Sequence, residues 1–325
     1  MDYVLIRIII GFLTMTLLPV VGFSSQNSNL SNAVIIWTSP SDAKLIEDIL
    51  VTFKEKNPKV KTEVYIHGPE STLMGLYTNV ADIAIMGREM RVPAEFMAFT
   101  WVWQYPPTLL KIANTAIFNS RPESTLAVIV NKNNPLTQIS TAELEAIFGE
   151  EHKIYPHIIR KWGDLNINLK TSHKSIRAIS LPIESPSCLY FQHSILADSY
   201  KWNSQLEEYA DTKNILEAVS KDETAIAITP IESLPQDVKI VPVKSDLQQK
   251  SIYPSNDAIV AEDYPLSRNL WAIINKKPHT PISANTRLLL EYILQSTTQK
   301  QISSHSGYLP LKAETLASQK ALLND

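Results

Sequence analysis

From Ala33 to Met86, apolar runs too short to be helices alternate with longer stretches whose apolar residues recur at helical spacing. That alternation restricts the fold more than any other feature of the chain. Ala33–Trp37 (AVIIW) reads as a buried strand. Asp42–Lys56 carries Ala43, Ile46, Ile49, Leu50 and Phe53 on one helical face, with Ser41 as its expected N-cap. Asn57-Pro58 stops that helix, since proline has no N–H to continue it. Val60–Ile66 alternates as a second strand. Ser71 is expected to cap a short helix bearing Leu73, Leu76 and Tyr77, and Asp82–Met86 (DIAIM) is a third strand. This β-α-β-α-β order predicts an α/β fold built on a doubly wound sheet with parallel strands.

The pattern persists downstream. Strands are expected at Thr108–Phe118, Leu126–Asn131, Ile176–Leu181, Ala225–Thr229, Val238–Val243 and Leu270–Asn275. Helices are expected at Ser185–Ala197, Asn214–Ser220, Ala284–Ser296 and Thr298–His305. Ser140-Thr141-Ala142-Glu143 is a capping box ahead of Leu144, Ile147 and Phe148. Val128-Ile129-Val130-Asn131-Lys132 echoes Ala272-Ile273-Ile274-Asn275-Lys276, with proline close behind each. Two such strands bracketing a block of α/β size suggest an inserted lobe, with hinge strands near 128–132 and 272–276. Read this way, residues 33–127 and 270–325 form one lobe and 128–269 the other; two ordinary core strands explain the echo equally well. A crevice between two such lobes is a favoured place for a ligand and closes by hinge motion.

The N-terminus reads as an export signal over residues 1–25: a weak n-region, an apolar run from Ile8 to Phe23 interrupted by Pro19, then Ser24-Ser25-Gln26. Removing it leaves about 300 residues, enough for two sizeable cores. The formal net charge is −3 and no basic block occurs, which argues against a nucleic-acid partner. Cys188 is the only cysteine, so an internal disulfide is excluded, and its place on a helix face points to burial. The histidines have no metal-ligand spacing, and neither a nucleophile elbow nor a phosphate-cradling glycine loop is present. No catalytic residues, metal site or cofactor are therefore expected, and the chain reads as a binding protein rather than an enzyme.

Several segments in fixed order carry a resemblance. They are Val130-Asn131-Lys132-Asn133-Asn134-Pro135-Leu136, Leu144-Glu145-Ala146-Ile147-Phe148-Gly149, Trp162-Gly163-Asp164-Leu165, Tyr264-Pro265-Leu266-Ser267-Arg268 and Gly307-Tyr308-Leu309-Pro310-Leu311. Together with Met86-Gly87-Arg88-Glu89-Met90, this series resembles the phosphate-binding protein family, the periplasmic solute receptors of ABC importers. The resemblance implies a type II periplasmic-binding fold of two lobes, each a mixed, mostly parallel sheet with flanking helices. It also implies a periplasmic location, a small oxyanion ligand such as phosphate, and an ABC permease as the membrane partner.

Residue by residue, the resemblance places Ser39 and Ser41 in a first anion loop and Ser71 and Thr72 in a second. Ser185 and Ser187 match a third, and Arg88 stands where a charged residue lies near the anion. Helix starts suit such a ligand because they present unpaired N–H groups at the positive end of the dipole. Each serine also has a plain explanation as a helix cap, and Arg88 has Glu89 and Glu95 nearby as acids to pair with. Trp101, Trp103 and Tyr105 read as packing under a long connection or as lining for a different ligand.

Four departures from the family pattern stand out. Pro186 lacks an N–H in the third loop, Leu181 replaces an expected arginine, and Glu70 and Thr38 replace small neutral residues. They keep a second expectation open: a receptor fold that has lost phosphate and serves as a sensory or protein-interaction module.

Overall fold

The computed structural model describes residues 33–324, apart from 69, 93, 120, 152, 156, 166–172 and 246–249. The export-signal reading over residues 1–25 lies outside the described residues. The first elements are β1 (Ala33–Thr38), α1 (Pro40–Lys56), β2 (Lys61–Ile66), α2 (Met74–Tyr77), β3 (Ile83–Met86), α3 (Ala94–Trp103) and β4 (Thr108–Thr115). Then come β5 (Ala127–Asn131), β6 (Ile139–Ser140), α4 (Thr141–Phe148), β7 (Arg177–Ser180), α5 (Pro186–Ser194), β8 (Glu207–Glu208), α6 (Thr212–Lys221), β9 (Ala225–Thr229), β10 (Val238–Val241) and β11 (Val243–Lys244). The chain closes with α7 (Asn256–Val260), β12 (Asn269–Ile274), α8 (Ala284–Ile293), α9 (Ser296–Ser303), β13 (Tyr308–Leu309) and α10 (Ala313–Ala321).

Two large mixed sheets with flanking helices make the two lobes. One sheet runs β13-β4-β12-β3-β1-β2 and the other β10-β5-β9-β7-β8. Strands β1, β2 and β3 pair in parallel, as do β7, β8 and β9, as the opening alternation predicts. The remaining pairs of both sheets, made by β12, β4, β13, β5 and β10, are antiparallel. The strand β12 returns from the far side of the chain and so meets β3 head to tail.

The echoing strands do not run between the sheets. β5 lies inside the second sheet and β12 inside the first, each with a neighbour on both edges. The chain crosses instead between β4 and β5, a stretch that includes Arg121–Thr125, and again before β12.

Local chemistry explains most boundaries. Helix α1 starts two residues earlier than the pattern predicts: Ser39 is the N-cap in extended backbone and Pro40 opens the helix. Proline's fixed φ suits that first position, so Ser41 falls inside the helix rather than before it. The α1 face of Ala43, Leu45, Ile46, Ile49, Leu50 and Phe53 packs on the first sheet. The Ser140–Glu143 box forms reciprocally, with each side chain on the other's backbone N–H.

Ser71 caps no helix. It lies in a turn, and α2 is one turn long with Leu73 in helical backbone at its start. Helix α3 is absent from the sequence expectations because its apolar residues surround it without a period, and among them only Phe99 is buried. Trp103 and Tyr105 pack beside Phe99, while Trp101 is 78% exposed. Cys188 is buried on α5, and burial pushes its thiol up to about 11.

Candidate crevice between the carboxyl ends of the two sheets

In an open α/β sheet, ligands collect where the strand order reverses, outside the carboxyl ends of the strands. The chain leaves β1 through α1 to β2 on one side and returns to β3 on the other, so β1 and β3 flank such a point. In the second sheet β7 leads through α5 to β8, and α6 then leads back to β9 beyond β7. The crossing segment brings Arg121, Pro122, Glu123 and Ser124 to both points.

At the first point the start of α1 meets acids. Ser39 Oγ donates to Asp42 Oδ2 at 2.7 Å and lies 2.8 Å from Ser41 Oγ. Ser39's single hydroxyl hydrogen is committed to Asp42, so Ser41 can donate to Ser39 or to Glu123 Oε1, 3.4 Å away. Asp42 is fully buried and also accepts from Arg121 Nη2 at 2.5 Å and from the Tyr308 hydroxyl at 2.7 Å. The Arg121 guanidinium lies over the Tyr308 ring, 4.0 Å from its centroid.

Glu123 is 6% exposed, and its Oε2 is buried with no hydrogen-bond partner among the described residues. Burial is the largest influence on its carboxyl and raises it above the ordinary carboxylate range. Asp42 adds to that shift, while Arg121 and Arg268 oppose it. Gly87, just after β3, is needed for this fit: a Cβ there would lie 3.0 Å from the Glu123 Cβ.

At the second point Ser185 caps α5, accepting from the Cys188 N–H at 3.3 Å. Ser187 is buried and donates through Oγ to the Pro122 carbonyl at 2.9 Å. A cavity of about 740 Å³ opens beside it, lined by Leu181 after β7, Pro230 after β9, Thr212 at the start of α6, and Arg121 with Pro122.

Arg268 ties the loops together. Fully buried, it donates to the carbonyls of Pro122, Ser124, Gly87 and Pro186 at 2.8, 3.4, 3.2 and 3.1 Å. Burial pulls its guanidinium below the ordinary arginine value.

The remaining expected residues form a separate group. Arg88 makes a two-pronged pair with Glu95, at 2.8 and 2.6 Å, and also donates to the Glu89 carbonyl. Glu70 lies 3.7 Å from it as well, and Glu70 is itself bound by Arg91. Glu70 is therefore held by two arginines and does not stand alone as a repelling charge. Thr72 is buried and donates back to the Gly68 carbonyl at 3.1 Å.

Thus Ser41 and Ser187 reach the crossing segment, with Ser39 and Ser185 beside them at the same helix starts, while Arg88 is engaged by Glu95 and Thr72 by its own turn. Asp42, Arg121, Glu123 and Arg268 were not among the expected site residues. Arg268 and Tyr308 lie in two of the segments that carried the family resemblance. Arg121 and Glu123 had no such signal.

Comparison with known proteins agrees with the fold. The family described as the PBP superfamily domain matches residues 24–297. The phosphate-binding protein PstS of Pseudomonas aeruginosa is 24% identical over 292 residues, covering 90% of this chain and 83% of that protein. Among solved structures, PstS from Borrelia burgdorferi superposes with a TM-score of 0.61 at 16% identity, over 86% of this chain and 99% of its own. An ABC-type phosphate transport receptor from Vibrio cholerae gives 0.56 at 18% identity, over 85% and 99%.

Proposed function

Because the chain belongs to the PBP superfamily, we propose that it is an exported, periplasmic solute receptor that takes a small oxyanion, phosphate or a similar ion, between its lobes. One observation carries this reading. The hydroxyl-bearing starts of α1 and α5, one from each lobe, reach the same short segment, through Ser41 to Glu123 and Ser187 to Pro122. An oxygen-bearing group already lies there with Arg121 and Arg268 beside it. A place that accommodates a carboxylate between a helix start and two guanidinium groups suits an oxyanion.

In this reading Ser39, Ser41, Ser185 and Ser187 supply hydroxyls, and Arg88 serves the first lobe as the buried partner of Glu95, near the turn of Ser71 and Thr72. Residues 33–127 with 270–325, and 128–269, are the proposed lobes. They would close on the ligand by bending in the crossing segments rather than in β5 or β12, because a strand paired on both edges resists bending. The loaded, closed form would then dock on the permease of an ABC importer. The mechanism is capture and release, with no bond made or broken. The phosphate named for the Pseudomonas relative supports phosphate as the first ion to try.

The test is calorimetric titration and thermal shift with inorganic phosphate, sulfate, phosphonates and small carboxylates. A receptor gains stability with one of them, because ligand bound only to the native state stabilises it. A folded chain indifferent to all of them overturns the reading. In that case the second reading gains: a receptor fold serving as a sensory or protein-interaction module. Asp42 and Glu123 beside the α1 hydroxyls, together with Pro186 at the start of α5, are the observations that favour it.

A further inference from the structure

We propose that Glu123 is a built-in competitor for the oxyanion place and so determines which solute the crevice admits: a ligand enters only by displacing this carboxylate. The inference rests on the receptor reading above and names the residue that sets its selectivity. Three independent features of the geometry point to it.

Glu123 occupies the switch point itself. Its side chain packs against Gly87 at the end of β3 and reaches Ser41 in the first turn of α1. A ligand drawn to the carboxyl ends of β1 and β3 would have to use this space.

The carboxylate is incompletely satisfied. Ser41 at 3.4 Å is a long hydrogen bond, and Oε2 is buried without a donor among the described residues. Leaving a buried carboxylate oxygen unpaired is costly, so the arrangement is poised for change rather than locked. Asp42, by contrast, holds three donors and is a fixed part of the wall.

The segment that carries Glu123 crosses between the lobes. Its neighbour Pro122 accepts from Ser187 and Arg268, both of the 128–269 lobe, while Glu123 reaches Ser41 of the other, so a shift of the lobes pulls on Glu123. Displacing Glu123 toward the cavity of about 740 Å³ beside Pro122 would free the α1 start.

The charged and titratable groups facing Glu123 fix the sign of the pH effect. They are Asp42 on α1, Arg121 on its own segment and Arg268 ahead of β12, with Tyr308 behind Asp42. Protonating Glu123 removes one negative charge from a place that otherwise holds Asp42 against two arginines. An incoming anion then meets less repulsion, so occupancy improves as pH falls. Burial, which already raises this carboxyl, brings its titration closer to neutrality.

The experiment compares wild type with Glu123→Gln by calorimetric titration of inorganic phosphate at about pH 8 and about pH 5. The ratio of the two dissociation constants cancels phosphate's own protonation. The expected result is a variant about tenfold tighter at the higher pH, a difference of about 1.4 kcal/mol, with the ratio falling toward one at the lower. Glu123→Asp keeps the charge but draws it back by one methylene, and is expected to fall between them; it also serves if the Gln variant folds poorly. A wild type that binds phosphate while neither variant binds more tightly overturns the inference and leaves the receptor reading standing. Binding by the variant alone supports both. Failure of all three proteins to bind at either pH overturns both.

Discussion

At the start of α1, Ser39 and Ser41 lie against two carboxyl groups, Asp42 and Glu123. At the start of α5, Ser185 caps its own backbone and Ser187 holds a carbonyl of the crossing segment. Both starts have a serine cap, a proline in the first turn and a further serine. They differ in what faces them. The α1 start faces charged side chains, Asp42 of its own first turn with Arg121 and Glu123 of the crossing segment, and the α5 start faces the Pro122 carbonyl and its own backbone. The same local sequence pattern therefore yields an end set against carboxyl groups in one lobe and an end set against a backbone carbonyl in the other. Tertiary partners, not the cap motif, decide what a helix start can bind.

Arg268 should give the largest effect, because it serves both ends. Arg268→Ala removes donors from four carbonyls and leaves a cavity in the buried interior. The expected loss is about 4 kcal/mol, from unsatisfied carbonyls and lost packing together, read from urea denaturation. A loss confined to one lobe, seen as two separate transitions, would show that the ends are not mechanically joined.

Asp42→Ala breaks only the α1 end. It leaves the Arg121 guanidinium without its carboxylate and the Tyr308 hydroxyl with only the Ser41 carbonyl, 3.3 Å away, as acceptor. Removing one member of a buried pair typically costs about 3 kcal/mol. The same substitution should leave the Ser185 cap intact, which amide hydrogen exchange at Cys188 would check.

A smaller effect, with a defined pH signature, belongs to Glu123. Its carboxyl is raised in the folded protein by burial and by Asp42, so the folded state holds this proton more tightly than the unfolded chain does. Stability therefore falls as pH rises from the ordinary carboxylate value, about 4.3, through the raised one, and the penalty is complete above it. Glu123→Gln should stabilise the protein at about pH 8 and make no difference well below the ordinary value. Equal melting curves at both pH values would mean the carboxylate is not strained in the crevice.

How much of this was legible in the sequence depends on whether a residue's partners are local. Ser140 with Glu143, and Ser185 with Cys188, satisfy each other within four positions, so motif reading finds them. The strands β3 and β9, and β1 with two partly buried positions, are equally readable, because burial on both faces demands continuous apolar runs. Helix α3 escapes because its apolar residues lack a period and most of them remain accessible. Arg121 and Glu123 escape for another reason. In a polar stretch between two strands they read as solvated charge, and only the crossing between sheets buries them. Asp42 is hidden in plain view, since an acid in a helix's first turn already has an electrostatic explanation.

The smallest effects distinguish a cap from a ligand-binding hydroxyl. Ser185→Ala removes the side-chain bond to the Cys188 N–H and should cost about 1 kcal/mol. Ser71 lies in a turn and starts no helix, so Ser71→Ala should change stability by less than about 0.5 kcal/mol. The informative measurement is phosphate titration of both variants beside Ser41→Ala. If the oxyanion sits between α1 and α5, Ser41→Ala weakens binding and Ser71→Ala does not. A loss at Ser71 equal to that at Ser41 would mean that the 70–72 turn swings toward the α1 start when ligand arrives. The contrast between the two helix starts would then not extend to the ligand-bound form. Unchanged affinity at Ser71 would leave the ligand to two helix starts, with Arg88 kept as Glu95's partner rather than the anion's.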